Sequence, residues 1–262
     1  MSSEGQLQQA VADAAGHLRR ARYVIALTGA GLSVESGIPP FRGPGGIWTR
    51  YGEPPMDGFQ RFLADPKAAW EERLTPSGPM AELWETLQRA RPNPGHTALA
   101  ELERRGIIRC LITQNVDDLH GSAGSQRLAE IHGNYRLVRC LGCGVRVLGE
   151  AVDLTALPPR CAACGGLLKN DTVGFGEPIP GDVLERCYAE SDRADCILVV
   201  GTSATVYPAA HFPVVVHERG GCLIEINPYE TELTPLAAVV LRAPAGEVLP
   251  RVVAMLDDRA GE

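Results

Sequence analysis

Residues 23–27, YVIAL, are an unbroken apolar run that leads directly into Thr28-Gly29-Ala30-Gly31. Such a run, with no polar alternation, suits a strand buried on both faces, as in a parallel sheet covered by helices. Glycine then lets the backbone turn sharply and come close to a ligand. A short helical piece follows, and after it a proline-glycine segment that carries Phe41 and Arg42. Stretch 22–46 thus has the form of a strand, a glycine turn and a helix start, the arrangement that cradles a nucleotide phosphate. Gly29 and Gly31 match the first two glycines of GxGxxG, but the third is Gly37, too late for that fingerprint. Two glycines can also serve any strand-to-helix connection. The spacing points to a cofactor site related to the Rossmann type with a different loop.

The same rhythm recurs along the chain. Residues 107–112 form a second buried-strand run ending in Thr113-Gln114-Asn115-Val116-Asp117-Asp118, and 196–200 form a third that turns at Gly201-Thr202-Ser203. Polar groups just past the carboxyl end of a parallel strand stand where open α/β sheets bind ligands. Shorter runs at 128–131, 222–226 and 237–241 read as further strands, and 96–105, 183–193, 209–218 and 247–256 as helices between them. Residues 43–79, rich in proline, glycine and aromatics, read as a long loop with short helices, and such loops often serve as lids.

A chain of 262 residues accommodates one large domain or a large one with a small insert. No apolar run is long enough to span a bilayer, and the N-terminal stretch lacks the pattern of a secretion signal, so it reads as a surface helix and the protein as cytoplasmic. A net charge of −7 argues against nucleic-acid backbone binding as the main task.

Four of the eight cysteines are grouped as Cys140-x-x-Cys143 and, seventeen residues on, Cys161-x-x-Cys164. This is four-thiolate zinc spacing: each CxxC turn aims two sulfurs at one metal, and two turns complete a tetrahedron. Four protein ligands leave no open position, which makes the role structural. A redox dithiol would require only one such pair. Cys110, Cys196 and Cys222 adjoin apolar runs and read as small buried thiols.

His132 stands between a short strand and Gly133, and its near-neutral titration suits a general base. A lone histidine is as readily a packed surface residue. Asn115 and Asp117 suit ribose or amide recognition, and equally suit turn formation.

Taken together, GAGLSVESGIPPFRG (29–43), TQNVDDLH (113–120), EIHG (130–133), the two CxxC pairs, FGEP (175–178), GTSATVYPAA (201–210) and EIN (225–227) run in order across nearly the whole chain. This set resembles the sirtuins, the NAD-dependent protein-lysine deacylases. The resemblance implies an α/β fold in which a Rossmann-like parallel-sheet domain (1–42, 92–132, 173–262) carries a smaller zinc-binding module (133–172) and a cofactor loop with a helical insert (43–91). NAD+ as co-substrate and an acyl-lysine protein or peptide would meet in the cleft between them, in a monomer. Gly29, Ala30 and Gly31 would line the pyrophosphate, and Phe41 and Arg42 would belong to the mobile loop. Gln114, Asn115 and Asp117 would flank nicotinamide and its ribose. Gly201, Thr202 and Ser203 would serve the phosphate and adenosine side, Asn227 the adenosine ribose and Ala245 the adenine. Val173, Gly174, Phe175, Gly176 and Glu177 would pair with substrate as an added strand. His132 matches the family's base, which promotes reaction of a ribose hydroxyl after the acyl oxygen has displaced nicotinamide, giving free lysine and O-acyl-ADP-ribose. Members that prefer acidic acyl groups carry a Tyr-x-x-Arg pair. The nearest stretch here is Trp70-Glu71-Glu72-Arg73, which implies acetyl or other uncharged groups. Mono-ADP-ribosyl transfer and a non-catalytic zinc-ribbon nucleotide-binding module are the alternative readings.

Overall fold

Strand β1 (Val24–Thr28) is buried along its whole length and pairs in parallel with two strands far away in sequence. In the computed structural model, which describes residues 3–43 and 45–257, the other strands are β2 (Ile108–Thr113), β3 (Leu128–Glu130), β4 (Leu137–Cys140), β5 (Arg146–Leu148), β6 (Leu168–Asn170), β7 (Cys196–Val200), β8 (Cys222–Ile226) and β9 (Val239–Leu241). Residues 1–2, 44 and 258–262, which the expected segments include, lie outside the described residues. The large sheet has the order β3-β2-β1-β7-β8-β9, all parallel. Counted among its own strands this is 3-2-1-4-5-6, the doubly wound order, and its direction reverses between β1 and β7.

Both faces are covered. Alternate residues of β1 serve opposite sides: Val24 and Ala26 join the cluster under helices α1 (Ser3–Arg20), α6 (Pro94–Arg104) and α10 (Ala245–Asp257), whereas Ile25 and Leu27 join the cluster under α8 (Gly181–Arg193) and α9 (His211–Glu218). Helix α1 departs from the expected surface helix. Val11, Ala14 and Ala15 are fully buried and Leu18 nearly so, a stripe at helical spacing that packs on α10 and β9.

The small antiparallel sheet β5-β4-β6 stands apart from the large one. Between β1 and α6 run α2 (Ile47–Tyr51), α3 (Gly58–Ala64), α4 (Pro66–Leu74) and α5 (Gly78–Arg89), and α7 (Leu119–Ser122) follows β2. Phe62 of α3 and Trp70 of α4 share a buried cluster with Val138, Cys140, Cys161 and Leu168, and the Trp70 indole donates to the Leu168 carbonyl at 2.9 Å. The long loop region is therefore anchored to the cysteine-bearing module by two aromatic side chains.

Candidate active site

At the switch point the turns after β1 and β7 meet backbone to backbone. The Gly31 amide donates to the Gly201 carbonyl at 2.7 Å, and the Gly29 amide to Val200 at 3.0 Å. A Cβ on Gly31 would lie 2.7 Å from that same Gly201 oxygen. Gly201 itself has φ +61°, and a Cβ there would be 2.3 Å from the Leu32 nitrogen. No side chain fits at either position, so the floor of the cradle is main chain. The 3-10 turn Ala30–Ser36 then closes at Gly37 in the left-handed region, which explains the late third glycine: it ends the turn.

The polar end of β2 is tied to both turns. The Gln114 amide donates to the Thr28 carbonyl at 3.0 Å, and its side-chain nitrogen reaches Thr202 Oγ1 at 2.9 Å. Asn115 Nδ2 donates to the Gly29 carbonyl and to Ser33 Oγ, both at 3.1 Å. Ser33 in turn donates to Asp117 Oδ2 at 2.6 Å, and the Leu119 amide donates to Asp117 Oδ1 at 3.0 Å. Burial pushes the Asp117 carboxyl above its usual range, and the Ser33 hydroxyl and Leu119 amide pull it back. Ser33 was not singled out from the sequence, although it lies inside GAGLSVES. Its partners are more than eighty residues away, and only folding shows which way the hydroxyl points.

His132 follows β3, which places it beside the end of β2. Its Nδ1 is 3.1 Å from the Gln114 carbonyl oxygen, and burial depresses the ring's pKa while that contact raises it. The main-chain carbonyl of His132 also accepts from the Val173 amide at 2.8 Å, so His132 and the 173–177 segment are directly joined. That segment bends at Phe175-Gly176, with Gly176 at φ +76° and the Glu177 amide donating to Gly174. The Val173 carbonyl and Phe175 amide carry no hydrogen bond among the described residues, leaving one acceptor and one donor for a strand-like partner. Glu177 differs from the rest of the expected substrate residues. Its carboxylate is buried against Arg139 Nη2 (2.5 Å) and Lys169 Nζ (2.8 Å) and accepts from the Gly174 amide (2.8 Å), so it braces the segment from beneath.

Behind the polar end of β2 lie two buried histidines. His120 Nε2 meets Thr28 Oγ1 at 2.9 Å, and its ring centre is 5.0 Å from that of His96. Burial pushes His96 down to about 4 and His120 down to about 3, so both are neutral in the fold.

Phe41 and Arg42 make their contacts within the loop. Phe41 packs on Trp48 (ring centres 5.1 Å apart), while Arg42 stacks on Trp48 at 4.4 Å and pairs with Glu53 at 3.1 Å. Trp48 also lies 5.7 Å from Phe175, so it bridges Phe41 and Arg42 to the 173–177 segment. On the other flank, Asn227 Nδ2 donates to the Thr202 carbonyl at 3.0 Å, and Ser203 is exposed with its hydroxyl on Thr205. Ala245 is buried at the start of α10, where the adjoining Gly246 amide donates to Glu35 at 2.8 Å.

The sulfurs of Cys140, Cys143, Cys161 and Cys164 all lie within 4.8 Å of one another. The Cys140–Cys164 and Cys143–Cys161 separations are 3.5 and 3.8 Å, close to the about 3.8 Å edge of a tetrahedron with zinc–sulfur bonds of about 2.3 Å. The Gly142 and Cys143 amides point at the Cys140 sulfur and the Gly166 amide at Cys164, the support that thiolates need. The four thiols fit one structural zinc ion.

Residues 29–208 match the model of the Sir2 family. The chain is 48% identical over 236 residues to NAD-dependent protein deacylase 1 of Archaeoglobus fulgidus, covering 90% of this chain and 94% of that one. The crystal structure of a Sir2 homologue–NAD complex superposes with a TM-score of 0.78 at 45% identity, over 94% of this chain and 93% of the other. A Sir2–p53 peptide–NAD+ structure gives 0.75 at 35% identity, over 92% and 96%.

Proposed function

The chain belongs to the Sir2 family, and from that premise we propose that it removes uncharged acyl groups, acetyl foremost, from lysine side chains, with NAD+ as co-substrate. NAD+ supplies an electrophilic anomeric carbon with nicotinamide as its leaving group. The paired glycine turns at Gly29, Ala30, Gly31 and Gly201 receive the pyrophosphate, with Thr202 and Ser203 beside it. Asn227 serves the adenosine ribose and Ala245 the adenine end. Gln114, Asn115 and Asp117 orient the nicotinamide ribose, and Phe41 and Arg42 close over it.

The observation that carries the reading is the setting of His132: a ring held neutral, with Nδ1 on a carbonyl and Val173 bonded to its own main chain. Its Nε2 takes a proton from a ribose hydroxyl, and the neighbouring 173–177 segment holds the acyl-lysine peptide through the Val173 carbonyl and Phe175 amide. Retention of this base favours deacylation over ADP-ribosyl transfer. The preference for uncharged acyl groups is supported by the stretch that stands nearest to a Tyr-x-x-Arg pair. Trp70 is buried against Leu168, Glu71 and Glu72 are exposed, and Arg73 donates to the Tyr135 carbonyl. The Rossmann-like segments, the 43–91 insert and the 133–172 module together enclose the cleft.

Incubation with NAD+ and an acetyl-lysine peptide, followed by mass spectrometry, tests this. Nicotinamide and acetyl-ADP-ribose are expected in equal amounts. Nicotinamide release that does not require the acyl-peptide would replace the reading with a glycohydrolase or transferase.

A further inference from the structure

A cavity of about 420 Å³ lies between α4, α5 and the turn after β5, and none of Phe41, His132 or Phe175 lines it. Its wall includes Arg73, Trp84, Tyr135, Arg136, Leu148 and Glu150. Arg73 is the unusual member. Its Nη2 donates to the Tyr135 carbonyl at 3.1 Å, and its guanidinium stands 4.9 Å from the Trp84 ring and 5.8 Å from that of Trp70. Among the described residues no carboxylate pairs with it. Burial alone moves its pKa, downward, with no charged neighbour contributing. A guanidinium stays charged, carries five donors, and is costly to desolvate without an anion; ring contacts offset only part of that cost.

The surroundings limit the anion that fits. Arg136 is already paired with Asp118 at 3.1 Å, and Glu150, which also lines the cavity, is exposed to solvent, so Arg73 is the lining cation left without an ion pair among the described residues. Trp84 and Tyr135 meet edge-on at 5.6 Å and, with the exposed Leu148, offer an apolar wall beside that charge. We propose that this cavity is a binding site for a small monocarboxylate with an aromatic body, its carboxylate forked by Arg73 and its ring against Trp84. The site is separate from the cleft, and the proposal does not depend on the deacylase reading.

Benzoate is the probe, titrated into the full chain without NAD+ or peptide and followed by calorimetry and tryptophan fluorescence. Saturable binding of one equivalent is expected. Acetate, which lacks the ring, should bind about tenfold more weakly. Arg73→Gln should weaken benzoate by about tenfold or more through loss of the charge-assisted pair. Glu150→Gln, at the exposed rim, should tighten it a few-fold, about the worth of one exposed charge. Equal affinity in a folded Arg73→Gln variant, no saturable binding, or competition with the acetyl-lysine peptide would each overturn the proposal. If Arg73→Gln does not fold, the Glu150→Gln and acetate comparisons decide, and no change in both sinks it.

Discussion

The Nδ1 atom of His132 lies 3.1 Å from the carbonyl oxygen of Gln114, and this contact gives the two ring nitrogens different tasks. A carbonyl oxygen accepts only, so Nδ1 carries the hydrogen and Nε2 keeps its lone pair. Burial depresses the ring's pKa, which keeps that lone pair free at neutral pH.

Replacing His132 with alanine should lower turnover by about a hundred- to ten-thousandfold, the usual worth of a general base. The dissociation constant for NAD+ should change little, because the cradle is main chain from other segments. The acid limb of the rate profile should fall below the ordinary histidine value. Steady-state rates from pH 5 to about 8 check both, and unchanged turnover in the variant would remove the role given to His132.

A buried histidine and a half-buried glutamate should shift stability in opposite directions with pH. His96 falls from 6.5 to about 4 on folding, so as pH drops below 6.5 the unfolded chain takes up a proton that the fold refuses, and stability is lost down to about 4. Glu130 is raised by burial from 4.5 to about 7, so its contribution is present below 4.5 and lost as pH rises through about 7. Urea midpoints of the wild type measured against His96→Gln should diverge on acidification, and against Glu130→Gln on alkalinisation. A pH-independent difference for either variant contradicts its assignment.

Cys161→Ala should reduce zinc content from one ion per chain to near zero and destabilise the small sheet, since a structural metal contributes its binding energy to folding. Metal analysis with thermal melting tests this; a metal-free variant that melts like the wild type would mean that the four thiols do not hold an ion.

Glu177→Gln leaves Arg139 and Lys169 short of their shared carboxylate in a buried setting, which should cost about 3 kcal/mol of stability. The KM for the acyl-peptide should rise while NAD+ affinity holds, because the brace supports 173–177 and not the glycine turns. A rise in the NAD+ dissociation constant with no change for peptide would reverse that assignment.

Elements that depend on local pattern were legible before folding. A strand buried on both faces is a continuous apolar string, as at 196–200, and a CxxC turn is complete within four residues. Features that depend on which distant atoms meet were not. The stripe of α1 is built on Ala14 and Ala15, whose small side chains give a weak amphipathic signal, so a core helix read as a surface one. Glu177 sits in a motif that reads as substrate-binding, yet its carboxylate is committed to two cations from β4 and β6. Trp48 lies in α2, a helix of five residues too short to show a periodicity, and its contact with Phe175 spans more than a hundred residues. Cys196 and Cys222, unrelated by spacing, are register partners on β7 and β8.

The backbone contact between Gly31 and Gly201 also sets an order of events during synthesis. Neither turn is a cradle alone, because Gly31 finds its acceptor only on Gly201, and β7 must first dock beside β1. A nascent chain that has left the ribosome only as far as the cysteine module contains β1, β2 and β3 but not the Gly31–Gly201 contact. A nucleotide held on the paired turns, as proposed, would therefore not assist the first half of folding. It could stabilise only a sheet in which β7 already lies beside β1.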